Sequence, residues 1–165
     1  MRIISDLYVH GLRNVHEHNI SLPEGVEHLV FTGFNGTGKT SILNAVASGE
    51  PETVTVHSLT GEYDVLLWDR DNVTGSMERL ESHKSCPVIL VVDDAQISLD
   101  PPNQRTFLPD LMERFPNIQI LASTNSPFIL LDMKHTAVYN LDTRLLYTGL
   151  DTMTYDEIGQ KAFGV

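Results

Sequence analysis

Leu29-Val-Phe-Thr-Gly-Phe-Asn-Gly-Thr-Gly-Lys-Thr-Ser41 is the stretch on which the reading of this chain turns. A β-rich run, Leu29 to Thr32, opens into Gly33-x-x-x-x-Gly38-Lys39-Thr40, and a helical pattern follows from Lys39 to about Ser48. Strand, glycine loop and helix together are the context a P-loop requires. Glycines let consecutive backbone N–H groups turn inward and cradle phosphate oxygens, and the helix N-terminus adds partial positive charge. In such a loop Lys39 reaches the β- and γ-phosphates and the Thr40 hydroxyl sits on Mg²⁺. The pattern predicts a chain that binds a nucleoside triphosphate.

Working outward, residues 2–9 and 15–22 read as two short strands, and Val26 to Thr32 as the strand feeding the loop. The chain breaks at Gly49-Glu-Pro51, then resumes extended structure at Thr53–Val56 and at Tyr63–Trp68. Val73 to Lys84 reads as helix. Pro87-Val-Ile-Leu-Val-Val-Asp-Asp94 is a continuous apolar run, as expected of a strand buried on both faces of a parallel sheet. Asp100 reads as an N-cap with Pro101 at the first helical position, for a helix reaching Phe115 that Pro109 kinks or delays. Strands at 118–122 and 136–141, a short helix at 127–131, a pairing segment at 145–148 and a last helix at 155–163 complete the pattern. Strands alternating with helices predict one α/β domain over residues 1–165, its sheet mostly parallel with an antiparallel N-terminal hairpin added.

Composition narrows the partners. With 11 Lys+Arg against 22 Asp+Glu the net charge is −11, which argues against a large nucleic-acid footprint on this chain. A lone cysteine, Cys86, excludes an intrachain disulfide and reads as a small buried side chain. No run approaches membrane-spanning length and no signal-peptide core opens the chain, so the expectation is a cytoplasmic protein.

A triphosphate site of this kind needs a carboxylate at the end of a neighbouring strand to hold the Mg²⁺ shell, and a group to orient the attacking water. Asp93, with Thr40, is placed for the metal and Asp94 for the water. The strand Ile118–Ala122 ends in Ser123-Thr-Asn125, where α/β folds put ligands, so Asn125 either faces the γ-phosphate or belongs to an ordinary turn before Pro127. His16-Glu-His18 would set two imidazoles on one strand face, read as solvated rather than metal-binding. Trp68 reads as core. Tyr8 reads either as a stacking aromatic or as one face of the first strand.

Those three stations, in that order, resemble the ABC-type ATPase heads of the SMC/RecF/OLD-like group of AAA-domain P-loop NTPases. Gly11-Leu-Arg-Asn14, Ile20-Ser-Leu-Pro-Glu-Gly25 and the Asn-Gly-Thr-Gly-Lys-Thr-Ser walk carry the N-terminal likeness. Asp93-Asp-Ala-Gln-Ile-Ser-Leu-Asp100 and Phe115 to Pro127 carry the C-terminal one. The resemblance implies that Arg13 and Asn14 lie near the base or ribose, and that Asn35, Gly36, Thr37, Gly38, Lys39, Thr40 and Ser41 bind the phosphates of ATP. It further implies a homodimer, or a hetero-oligomer with an effector protein.

The departures are specific. Asp94 stands where the family has Glu, one methylene or about 1.5 Å shorter. Asn125 stands where the family has His, and it carries neither proton nor charge. Residues 41 to 95 hold no Gln to sense the metal, and Asp69, at the end of a strand, is a candidate substitute and nothing more. Val73-Thr-Gly-Ser76 is the one remnant of the signature, unless Thr74 simply caps a helix there. Expected, then, is a reduced head that binds Mg²⁺ and ATP and hydrolyses slowly through Asp94 and Asn125, or a nucleotide-gated binding module without turnover. A small-molecule kinase ranks last, because no arginine-rich lid follows residue 94.

Overall fold

Residue by residue, the structure, a computed structural model, describes positions 1–34, 36–49 and 53–164. Its elements in chain order are β1 (Ile4–Val9), β2 (His18–Ser21), β3 (His28–Thr32), α1 (Lys39–Ser48), β4 (Val54–Ser58), β5 (Asp64–Leu67) and α2 (Val73–Ser82). There follow β6 (Val88–Val92), α3 (Pro101–Arg114), β7 (Ile118–Ser123), α4 (Pro127–Leu130), β8 (Thr136–Asn140), β9 (Leu145–Tyr147) and α5 (Tyr155–Phe163).

Among the described residues the strands form two sheets, of order β2-β1-β4 and β5-β6-β7-β3-β8-β9. The larger is parallel except for β9, which turns back on β8. The expected N-terminal hairpin is present, β1 against β2, and β4 joins it on the other edge of β1 to make a separate antiparallel sheet. Which sheet claims β4 depends on long-range pairing, which its own five residues do not encode.

Alternation along each strand feeds two cores. Leu29 and Phe31 of β3, Ile89 and Val91 of β6 and Tyr139 of β8 pack on the side of α1 and the small sheet. Val30, Leu90, Val92 and Val138 face the opposite way, onto α3, α4 and α5. This double burial is why β6 reads as an unbroken apolar run. The two sheets are joined by the fully buried Gln119, whose Oε1 accepts from the Ile3 and Ile4 amides and whose Nε2 donates to the Ile4 carbonyl.

Some local expectations hold and others need correction. α3 runs unbroken through Pro109, from an Asp100 cap whose side chain accepts the Asn103 amide. α2 is capped by Asn72 rather than Thr74, and Asn72 Oδ1 takes the Gly75 amide. His18 lies buried in β2 with Nδ1 2.9 Å from Tyr139 Oη, while His16 precedes the strand, exposed. Cys86 is half-buried, its thiol donating to the His83 carbonyl and to Asp64. Trp68 is likewise half-buried, on the wall of an open cavity. Tyr8 is exposed and stacks on His10, as one face of its strand. Gly49, left-handed at φ 68°, closes α1, and Glu50 and Pro51 lie outside the described residues.

Candidate functional site

Strand order builds the site. β7 lies between β3, which leads into the glycine loop, and β6, which leads into Asp93. The two tips are therefore two strand spacings apart, roughly 10 Å. The gap is crossed from above, by the first turn of α1, and filled from below, by the end of β7. Thr40 Oγ1 donates to Asp93 Oδ2 at 2.9 Å. Beneath it, Ser123 Oγ donates to Asp93 Oδ1 at 2.6 Å and accepts the Asp94 amide at 2.8 Å. Ser123 thus orients both aspartates. Sequence reading passed over it because its partners are set by strand adjacency.

α1 begins at Gly38 with φ 100°, with no side-chain cap and no acidic residue in its first turn. Its first amides are open to an anion, a state that most helix N-termini avoid by capping themselves. Gly38 is required for a second reason: a Cβ there would lie 2.5 Å from Val15 Cγ2. Val15 thereby seats the Arg13–Asn14 turn against the loop, with Asn14 in the left-handed region at φ 62°. Arg13, Asn14, Val15, Gly36, Gly38 and Lys39 line a cavity of about 320 Å³ together with Thr40, Ser41 and Asp94. Thr37 closes the loop on itself by donating to the Phe34 carbonyl, and Asn35 lies outside the described residues.

Lys39 Nζ donates to the Gly33 carbonyl and to Asn125 Oδ1. Burial lowers its pKa, opposed by the charges of Asp94, Asp142 and Asp93. Asp142 was not anticipated. It follows β8, the other neighbour of β3, and its Oδ2 accepts the Phe34 amide at 2.8 Å. Gln96, also unanticipated, accepts from Thr124 Oγ1 at 2.8 Å and so ties the end of β7 to the loop after β6. Asp94 itself sits in the left-handed region at φ 48°.

Sequence-predicted residues from four separate segments are therefore brought together: the Arg13–Asn14 turn, the glycine loop, the aspartate pair and Asn125. Asp69 does not line the glycine-loop cavity but shares a second cavity with Asp93 and Asp94. No group of three or more His, Cys, Asp or Glu among the described residues is placed to hold a metal ion. One carboxylate with one hydroxyl suits Mg²⁺, which keeps several waters and borrows phosphate oxygens. Among the described residues no helix is long and apolar enough to cross a membrane.

No protein-family model matches the chain, and no curated protein matches it. Among solved structures, one described as a metal-chelate-type ABC transporter in an inward-facing conformation is similar at 14% identity and a TM-score of 0.55. The match covers 99% of this chain and 90% of that one. At that identity the likeness concerns the fold, and the fold is ABC-like.

Proposed function

We propose that the chain is an ATP-binding domain of the ABC type, a reduced head of the SMC/RecF/OLD-like group, working with Mg²⁺. The single observation that carries this reading is the 2.9 Å contact of Thr40 with Asp93, residues 53 positions apart that meet because the first turn of α1 crosses the gap that β7 leaves between their strands. The uncapped start of α1 and the Lys39 ammonium at its mouth supply the phosphate end. Arg13 and Asn14 line the same cavity and would meet the nucleoside. Thr40 and Asp93 would hold the metal, whose chemistry is to neutralise phosphate charge. Asp94 would orient water, and Asn125 a phosphate oxygen.

A second reading, a nucleotide-gated module without turnover, is favoured by a specific observation. The amide of Gly75 in the signature remnant is already taken by Asn72, so a second copy would find it engaged rather than free for a γ-phosphate. Calorimetry with Mg·ATP separates binding from its absence. Lys39→Ala is expected to abolish the heat, and Thr40→Ala to weaken binding only when Mg²⁺ is present. Steady phosphate release that Asp94→Asn removes identifies the ATPase, and tight binding without release identifies the module. A folded protein giving no heat with any Mg·nucleotide would sink both.

A further inference from the structure

A second cavity, of about 470 Å³, is also lined by the aspartate pair. Its apolar wall includes Trp68 and Phe107, with ring centroids 5.3 Å apart at 57°, and Val92 and Leu99. At its mouth Val73 is 50% exposed and Ile97 40%, more apolar surface than a small guest would cover. The lining carries four carboxylates, Asp69, Asp71, Asp93 and Asp94, against the single cation Arg70; both oxygens of Asp93 already accept from Thr40 and Ser123, which leaves three to face a guest. Asp94 lines both this cavity and the one at the glycine loop.

Aromatic faces attract a cation electrostatically, and an arginine stem covers apolar wall while its planar head meets carboxylate. We propose that this cavity is a docking site for a partner protein, and that it takes an arginine side chain borne on an apolar segment of that partner. Two features select this occupant. The lining is acidic in a chain of net charge −11, and the exposed Val73 and Ile97 call for apolar residues flanking the guest. The bound guanidinium would meet Asp94, the residue that lines both cavities. The inference stands on the cavity and does not need the nucleotide reading.

Trp68 is the only tryptophan, so intrinsic fluorescence reports occupancy directly. The experiment titrates the intact protein with acetyl-Leu-Arg-Leu-amide, the same peptide with citrulline for arginine, the same with glutamate, and free butylguanidinium. Expected are a saturable response to the arginine peptide, binding about tenfold weaker for the isosteric neutral citrulline form, and none for glutamate. Asp71→Asn, a change at an exposed residue, and Phe107→Leu, which keeps most of the volume, should each weaken the arginine peptide about threefold. No response to the arginine peptide overturns the proposal. Equal responses to arginine and citrulline overturn it as well, by showing an adventitious apolar cleft. Butylguanidinium binding as tightly as the peptide would mark a small-cation site and overturn the partner assignment.

Discussion

Lys39 Nζ donates to Asn125 Oδ1 at 2.6 Å, joining the end of the glycine loop to the residue beyond β7. A nucleotide that used Lys39 would have to draw it away from this partner. A hydrogen bond to a charged group contributes about 1.5–3 kcal/mol. Asn125→Ala is therefore expected to destabilise the nucleotide-free protein by about 1.5 kcal/mol in denaturant unfolding, the low end because Lys39 keeps the Gly33 carbonyl. The same substitution should also slow phosphate release, because the phosphate oxygen that Asn125 would orient loses its partner. Unchanged release in the variant would remove Asn125 from that role.

Asp94 is one methylene shorter than the glutamate of the family it resembles, and its backbone is left-handed. Restoring reach with Asp94→Glu should raise steady phosphate release by on the order of 10- to 100-fold, since an ångström of misplacement can cost that much. Glutamate tolerates φ 48° less well than aspartate, so stability should fall by about 1 kcal/mol. Unchanged release would place the catalytic deficit elsewhere, with the engaged Gly75 amide as the next suspect.

Gly38→Ala tests the seating of the Arg13–Asn14 turn. The added methyl would meet Val15 at 2.5 Å on a backbone with φ 100°. Crowding and backbone strain together should cost about 2 kcal/mol or more. In the Val15→Ala background the same change should cost measurably less, because the two γ-methyls are gone and only the Cβ contact at 3.3 Å and the backbone strain remain. Additive effects of the two substitutions would deny the contact.

His28 makes stability depend on pH. It is buried, its Nδ1 accepts the Ile120 amide, and burial holds its pKa down at about 3 against an ordinary 6.5. The unfolded chain therefore takes up a proton below about 6.5 that the folded chain refuses until near 3. Stability is full above the upper value and should fall as pH drops through this window, by at most about 1.4 kcal/mol per pH unit. Unfolding curves between pH 7 and 4.5 should show a shallower fall for His28→Asn than for the native chain. Parallel slopes would remove His28 from the account.

Much of the fold was legible because its signals are local. The bounds of α1 follow from glycines that only the loop and the helix ends need, Asp100-Pro101 announces α3, and the unbroken Val88–Val92 run announces a strand covered on both faces. Thr74 misled because either Asn72 or Thr74 has the chemistry of a cap, and the chain chose the residue two positions earlier.

By itself the sequence determined the kinds of element, their order, and the identity of the residues gathered at the strand tips, because periodicity, glycine placement and capping act within a few residues. Only the tertiary structure decided that β7 stands between β3 and β6, and with it that Ser123 holds both aspartates while Thr40 reaches Asp93 above it. Val15 against Gly38, Asp142 on the Phe34 amide, Gln96 on Thr124 and the placing of β4 in the smaller sheet are of the same kind. Each is a contact between segments distant in the chain or across a turn. It is selected by how strands pair and how two apolar faces are covered together, and no short window of sequence contains that information.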